Sequence, residues 1–144
     1  MRSAGIDYGK ARIGLALSDP RGVMALPHKT LSTSKSLPET AQKIAQELGA
    51  FAPLKQIVMG LPLLLNGRDS PLATEVRALA ELLKVLLPDV PLLLWDERLT
   101  TAGLERSLKD LGVSRKRRQK VIDPLSAASI LQNYLDWEGG RSMV

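Results

Sequence analysis

The sequence predicts an α/β domain built on a mixed five-stranded sheet with helices on both faces. Three short strand-like segments separated by turns open the chain, and strand-like and helix-like segments then alternate. The predicted order is β-β-β-α-β-α-β-α-α. Because 144 residues are enough to bury one continuous core, we expect residues 1–144 to form a single domain.

The first three strands are predicted at residues 3–8, 12–18 and about 23–30. Their connections, residues 9–11 and 19–22, are short and rich in turn-forming residues, which favours an antiparallel meander. The three strands should therefore be hairpin neighbours.

The middle of the chain changes to helical spacing. Ser36 with Glu39 forms a capping box, and the apolar residues that follow predict a helix that stops at Gly49. A β-branched run ending at Gly60 predicts a fourth strand. Ser70-Pro71 has the composition of a second helix start.

The last third of the chain supplies one strand and two helices. The apolar run at residues 90–95 is typical of a strand covered on both faces. A third helix should start at Thr100 or Thr101 and stop at Gly112, and a last helix should run from Asp123-Pro124 to about Trp137. We expect right-handed crossovers to join the later strands.

Composition limits the classes of function. There are 20 Lys and Arg against 15 Asp and Glu, a formal charge of +5 that favours an acidic partner such as nucleic acid. The absence of cysteine excludes zinc ribbons, iron–sulfur clusters and thiol nucleophiles. No run approaches the ~20 apolar residues of a membrane span, so we expect a cytoplasmic protein with no membrane partner. His28 has no second histidine for a zinc site and is expected on a loop or strand surface.

Three acids are candidate site residues. Asp7 ends the first strand on the face of Gly5, where the small glycine should leave room beside the carboxylate. Glu97 follows the fifth strand on the face of Trp95, while Asp96 points away. Each has a plain structural alternative: Asp7 as a turn acid, Glu97 as a solvated strand end, and Asp123 as a helix cap. Residues 5–14 match neither a Walker loop nor a dinucleotide fingerprint.

A meeting of these three acids would need cations. Carboxylates without a basic partner repel one another unless hard ions lie between them, and Mg²⁺ or Mn²⁺ suits such oxygen sites. Two ions ~4 Å apart can assist both sides of a phosphodiester cleavage. Convergence of the acids would therefore indicate a nuclease.

Four motifs, GIDYGKARIGLALSD, GLPLLLNG, WDERLTT and IDPLSAASILQ, resemble in order and spacing the YqgF family, also called RuvX. Members are named as pre-16S rRNA nucleases and were earlier regarded as Holliday junction resolvases. The resemblance covers nearly the whole chain and implies an RNase H-like fold in which Asp7, Glu97 and Asp123 serve divalent-metal phosphodiester cleavage. Pro124 stands where a serine often follows the last aspartate, and Leu64-Leu65 replace a more polar pair.

Basic residues lie near these acids in the sequence. We expect Lys10, Arg12 and Arg98 to add phosphate contacts, with an ordinary surface ion pair as the alternative for Arg98. The run RKRRQK holds five cations in six residues beside Asp123 and could hold the nucleic-acid backbone, or be a solvated loop. Its cations are Arg115, Lys116, Arg117, Arg118 and Lys120.

The acids thus predict a metal-dependent endonuclease. The resemblance implies that it acts on structured RNA, with an rRNA precursor as substrate and a pre-ribosomal particle as a further partner. The alternatives are a resolvase of four-way DNA junctions and a non-catalytic nucleic-acid-binding assembly factor. Resolvases work as dimers, so the chain is expected as a monomer or a homodimer. Sugar kinases and actin-like ATPases open with a similar acidic turn, but they need two lobes.

Overall fold

The computed structural model describes residues 1–98 and 124–142. Five strands form one sheet: β1 (Arg2–Tyr8), β2 (Arg12–Ser18), β3 (Ala25–Ser32), β4 (Leu54–Leu61) and β5 (Leu92–Asp96). The helices in the described part are α1 (Leu37–Gly49), α2 (Pro71–Leu86) and α3 (Pro124–Ser142). The predicted helix between Thr100 or Thr101 and Gly112 lies outside the described residues.

The sheet is mixed, as predicted, and its strand order is β3-β2-β1-β4-β5. β1, β2 and β3 form the antiparallel meander, whereas β4 is parallel to β1 and β5 is parallel to β4. Parallel neighbours need crossover connections, and α1 and α2 occupy those crossovers. The carboxyl ends of β1, β4 and β5 therefore meet at one edge of the sheet, which we call the carboxyl edge.

Helix starts follow the predicted caps. The hydroxyl oxygen of Ser36 accepts a hydrogen bond from the Glu39 amide at 3.3 Å, and that of Ser70 accepts one from the Ala73 amide at 3.0 Å. Each serine satisfies an amide that the first helical turn leaves without a partner. The predicted starts of α1 and α2 are confirmed.

One strand boundary differs from the prediction because of Asp19. Its Oδ1 accepts hydrogen bonds from the amides of Val23 and Met24, at 2.8 and 2.9 Å, so these two residues belong to the turn. β3 consequently starts at Ala25 rather than near residue 23. The same two bonds lower the pKa of Asp19 to about 2, because they favour the ionised carboxylate.

Two cores fill the two faces of the sheet. On one face, α1 and α2 pack against apolar residues such as Ala4, Ile6 and Tyr8 of β1. On the other, α3 packs against Ala16 and Val58, with Leu93 and Trp95 of β5 beside them. Helices thus cover both faces, as predicted. Residues 92–95 are each half-buried in the described structure rather than fully covered.

Two further predictions concern the last helix and His28. α3 extends past Trp137 to Ser142. Tyr134 and Trp137 pack against Trp95 in an aromatic cluster of edge-to-face and tilted pairs, with ring centroids 5.1–5.8 Å apart. His28 lies on β3 with its Nε2 3.0 Å from Glu47 Oε1, which is a surface contact as expected. Within the described residues no helix is both long and apolar enough to cross a membrane.

Gly5 is a point of close approach between α3 and the sheet. A Cβ at Gly5 would lie 2.8 Å from Leu131 Cβ and 2.9 Å from the carbonyl oxygen of Ala127, distances that real Cβ atoms do not show. We expect Gly5→Ala to push α3 away and to lower the free energy of unfolding by about 1–3 kcal/mol. Urea denaturation measures this loss.

Gly139→Ala, a substitution in α3, is the matched control for Gly5→Ala. No atom lies within 4 Å of a Cβ built at Gly139, so this variant should gain about 0.5–1 kcal/mol from the better helix former. Equal stability of the two variants would contradict the close contact at Gly5.

Candidate active site

Asp7 lies near the carboxyl end of β1 on the face that α3 covers. Side chains alternate along a strand, and Gly5, two residues earlier, faces Leu131 of α3. Ile6 and Tyr8 belong to the opposite core. The predicted sharing of a face by Gly5 and Asp7 is confirmed, and Asp7 is half-buried.

The reason for a glycine at position 5 differs from the expectation. The space above Gly5 is filled by the backbone and side chains of α3, at Ala127 and Leu131. Gly5 therefore does not leave room beside the Asp7 carboxylate. It lets the helix lie against the sheet, which brings the helix start near Asp7.

Glu97 follows β5 and is buried, with 1% of its surface exposed. Its amide donates a long hydrogen bond of 3.4 Å to the Leu61 carbonyl, which prolongs the pairing of β5 with β4. Leu93 and Trp95 face α3, so Glu97 faces α3 too, whereas Asp96 is exposed. The predicted opposite directions of Asp96 and Glu97 are confirmed, and Glu97 is not a solvated strand end.

Gly60 of β4 makes room for the Glu97 carboxylate. A Cβ at Gly60 would lie 2.6 Å from Glu97 Oε2 and 2.6 Å from Ile130 Cδ1. Any other residue would collide with both groups. Position 60 is buried, so a Cβ there could be accommodated only if α3 or the Glu97 side chain moved.

The strand register places Asp7 and Glu97 on either side of Gly60. Ile6 pairs with Met59 across β1 and β4, so the next residues along these parallel strands, Asp7 and Gly60, are neighbours about one strand spacing (~4.8 Å) apart. On the other side the Glu97 carboxylate lies against Gly60. The two acids thus approach one position on the sheet from opposite sides and on the same face.

α3 begins at this end of the sheet. Its residues Ala127 and Leu131 lie over Gly5, and further along Tyr134 and Glu138 contact Gln56 of β4 near the opposite edge. The helix therefore runs antiparallel to β1 and β4, and its first residue, Pro124, is at the carboxyl edge. Asp123 precedes Pro124 in the sequence but lies outside the described residues.

The predicted basic residues are distributed around this edge. Lys10 and Arg12 are exposed on the β1–β2 hairpin, directly after Asp7. Arg98 instead forms an ion pair with Asp96, with Nη2 2.7 Å from Oδ2, and Nη1 donates to the Leu65 carbonyl at 3.2 Å. Arg115, Lys116, Arg117, Arg118 and Lys120 lie outside the described residues.

The Arg98 pair has an electrostatic consequence for Asp96. Hydrogen bonds from the Arg98 guanidinium lower the pKa of Asp96, although burial opposes this shift. Asp96 therefore stays ionised at neutral pH and binds the guanidinium next to Glu97. The described geometry corresponds to the surface ion pair that the sequence offered as the alternative role for Arg98.

The donor set suits a hard divalent cation. In the described ranges, no group of three or more Asp, Glu or His side chains is placed to hold an ion, and Asp123 is outside them. Asp7 and Glu97 nevertheless share a face, and Gly60 supplies the space for a carboxylate oxygen between them. Asp7 and Glu97 are therefore the described side chains at this edge that could hold such an ion.

Gly60 is the site residue that sequence reasoning did not single out. The run QIVMG was interpreted as a strand with a glycine at its end, and the pattern of β4 alone does not indicate what faces that glycine. The available signal was a glycine ending a buried strand beside two strands that carry acids. Only the pairing of β4 with β1 and β5 shows that Gly60 lies between them.

Comparison with solved structures defines the class of fold. RuvC of Thermus thermophilus aligns with a TM-score of 0.57 and 18% identity over 97% of each chain. The fowlpox virus resolvase, solved with Holliday junction DNA, aligns with a TM-score of 0.56 and 10% identity over 96% of this chain and 99% of that one. The chain therefore has the RNase H-like fold of these resolvases, as the resemblance implied.

Comparison of sequences identifies the family. The family model described as "RuvX: Holliday junction resolvase" matches residues 1–137, and this chain belongs to that family. Relatives named "Putative pre-16S rRNA nuclease" include one from Protochlamydia amoebophila, 46% identical over 94% of this chain and 93% of its own. Another, from Listeria innocua, is 40% identical over 94% and 98%.

A double-mutant cycle tests the crowding at Gly60. Gly60→Ala should lower the free energy of unfolding, because the new Cβ meets both Ile130 Cδ1 and the Glu97 carboxylate. Ile130→Val removes Cδ1 and alone should cost about 0.5–1.5 kcal/mol. In combination the two losses should be smaller than additive by about 1 kcal/mol, measured by urea denaturation. Strict additivity would contradict the contact.

Proposed function

We propose that this protein is a divalent-metal-dependent endonuclease that hydrolyses phosphodiester bonds of structured RNA, with the 5′ end of pre-16S rRNA as its processing site. The observation that carries the proposal is the placement of Asp7 and Glu97 around Gly60 on one face of the carboxyl edge. The names of the RuvX relatives support the choice of RNA.

Asp7, Glu97 and Asp123 are the proposed metal ligands and catalytic residues. Asp7 comes from β1, Glu97 from the end of β5, and Asp123 from the residue before α3, whose first residue lies at the same edge. Bound Mg²⁺ or Mn²⁺, as two ions, supplies an activated water and charge neutralisation at the phosphate. The carboxylates fix where the phosphodiester must lie.

The burial of Glu97 supports its role as a ligand. With 1% of its surface exposed, the Glu97 side chain is fixed in position at the carboxyl edge. Gly60 provides the space that keeps this carboxylate at the sheet instead of in solvent. A side chain held this way loses little freedom when it binds a cation, which favours binding.

The basic residues are proposed to bind the nucleic-acid backbone. Lys10 and Arg12 are exposed beside Asp7, on the hairpin that follows β1. Arg98 contributes less directly, since Asp96 holds its guanidinium in the described geometry. The five cations between Arg115 and Lys120 would add the largest electrostatic share because they are adjacent in sequence to Asp123.

We further propose that residues 1–144 act as a single nuclease domain in the cytoplasm, as a monomer or homodimer, on RNA within a pre-ribosomal particle. The predominance of basic residues supports an acidic partner of this kind. The absence of cysteine is compatible with a reducing compartment.

Cleavage of four-way DNA junctions is the second candidate function. It is favoured by the description of the family as Holliday junction resolvases. A cleavage panel separates the two candidates: pre-16S rRNA fragments and synthetic four-way DNA junctions are incubated with Mg²⁺ or Mn²⁺, and the solution mass is measured. Symmetric cleavage of junctions by a dimer would favour the resolvase.

Asp7→Asn should abolish cleavage. The substitution keeps the shape of the side chain but removes its charge, so we expect Mn²⁺ affinity and cleavage rate to fall by at least about a hundredfold. Mn²⁺ binding is measured by calorimetry, and cleavage with labelled precursor rRNA. Folding and most of the RNA affinity should remain.

Asp89→Asn is the matched control. Asp89 is exposed in the connection before β5, at the end of the sheet opposite the carboxyl edge. The Asp89→Asn variant should therefore cleave RNA and bind Mn²⁺ as the native protein does. Cleavage by Asp7→Asn at the native rate would refute the assignment. Binding of RNA by the native protein without turnover in any divalent metal would favour the assembly factor.

The basic run should dominate the salt dependence of RNA binding. If all five of its cations contact phosphates, the slope of log K against log salt is about −4 for a duplex. Replacing Arg115, Lys116, Arg117, Arg118 and Lys120 by glutamine should remove most of this slope, measured by fluorescence anisotropy in the Asp7→Asn background. A native slope near zero would show that the run is a solvated loop.

A further inference from the structure

The connection between β4 and α2, residues 62–70, folds into a closed hairpin at the carboxyl edge, which we call the leucine hairpin. The Leu64 amide donates to the Arg68 carbonyl and the Gly67 amide to the Leu64 carbonyl, both at 2.8 Å. Gly67 has a φ of +85°, a conformation that favours glycine. Leu63 and Asp69 form an antiparallel bridge below the turn.

Further contacts brace the leucine hairpin from three sides. Arg77 of α2 binds Asp69 in a two-pronged ion pair, with contacts of 2.8 and 3.0 Å. The Ser70 hydroxyl donates to the Pro62 carbonyl and closes the base of the hairpin. Arg98 donates to the Leu65 carbonyl at 3.2 Å. These contacts join the hairpin to α2 and to Arg98 and close its base.

This hairpin presents leucines to solvent. Leu65 at the tip is 89% exposed and Leu64 is 44% exposed, and the next two residues along the turn, Asn66 and Gly67, are exposed as well. An exposed leucine by itself is ordinary on a protein surface. Leu65 differs from such a leucine, because the backbone around it is hydrogen-bonded and joined to two arginines while its own side chain extends into solvent.

The location of the tip indicates which class of partner would cover Leu65. The hairpin directly follows Gly60 and Leu61, and Arg98, which holds the Leu65 carbonyl, directly follows Glu97. The hairpin and the two acids thus lie at the same carboxyl edge of the sheet, and a nucleic acid bound at this edge is the occupant that we infer for the tip. Arg68, exposed next to the tip, offers positive charge to the backbone on either side.

We propose that Leu65 is an apolar wedge that inserts between neighbouring bases of the substrate beside the cleavage site. This inference rests on the proposed nuclease function and adds a substrate class: nucleic acid with a base step that is already unpaired or easily unstacked. Apolar side chains inserted in this way partly unstack a base step and bend the helix axis. A bulged or branched substrate costs less to open, so the wedge selects for it.

The wedge requires an ordered tip. Insertion gains contact with the faces of the bases only if the leucine does not fold back against the protein on approach. The Arg98 bond to the Leu65 carbonyl and the Arg77 pair with Asp69 support the backbone of the hairpin in this position. In this view Arg98 acts through the leucine hairpin rather than as a direct phosphate contact.

The test uses 2-aminopurine, a base analogue whose fluorescence rises when it is unstacked. The probe is placed at successive positions in a bulged RNA stem and, separately, in a four-way DNA junction, with Ca²⁺ in place of Mg²⁺ so that binding is observed without cleavage. The full-length native protein should raise the fluorescence at one step. The substrate in which this occurs distinguishes RNA from branched DNA as the source of the step.

Leu65→Ser should lose most of this rise and weaken binding of the same probe about tenfold, the change that ~1.4 kcal/mol produces. Leu65→Phe should restore the rise, because a phenyl ring can also lie between bases. Val85→Ser is the matched control: Val85 is 77% exposed but lies in the last turn of α2, and this variant should behave as the native protein does.

An unchanged rise in Leu65→Ser would overturn the wedge. Absence of a rise at every probe position, with native cleavage in Mg²⁺, would overturn the wedge while the nuclease function stands. A rise that depends on Leu65 in a protein that never cleaves would support the wedge and refute the nuclease. Cleavage in Mg²⁺ is measured on the same substrates, so the two failures are distinguishable.

Discussion

The direct packing of α3 onto the sheet is the contact on which the candidate site depends. At Gly5 and Gly60 the helix comes so close that a single methyl group would collide with it. Such an approach is possible only where the strand offers no side chain, and β1 and β4 each supply one glycine on that face. The helix start is then brought to the carboxyl edge, beside Asp7. The same glycine on β4 also admits the Glu97 carboxylate.

Polar contacts fix the direction of this helix. At the far end of α3, Tyr134 and Glu138 bond to Gln56, which in turn bonds to Ser3 of β1. Gln132 bonds to the Ala25 amide and the Val23 carbonyl at the start of β3. These bonds prevent the helix from sliding along an otherwise apolar interface. Their effect reaches the opposite end of the helix, where the acids lie.

The carboxyl edge combines buried carboxyl groups with exposed positive and apolar groups. Glu97 is buried, Asp7 is half-buried, and Lys10, Arg12 and Arg68 are exposed around them. The exposed cations suit contacts along the backbone of a polyanion. The leucine hairpin adds an apolar element to the same edge, and its backbone bonds show that its shape is part of the fold.

The sequence by itself determined the order and class of the elements, because caps, turns and hydrophobic spacing act over a few residues. It predicted the starts of α1 and α2, the meander, and the opposite directions of Asp96 and Glu97, all from local pattern. It misplaced the start of β3, since the Asp19 turn depends on side-chain bonds that composition does not show. The role of Asp123 stays a prediction.

Only the tertiary structure determined which side chains face one another. The purpose of Gly5 and Gly60, the burial of Glu97 and the pairing of Arg98 with Asp96 depend on strands and helices far apart in the sequence. The pattern of a single strand indicates which side chains share a face, but the register with neighbouring strands and the distance of the covering helix determine whether those side chains meet. That register is set by the whole sheet, which is why the site emerged only once the sheet was assembled.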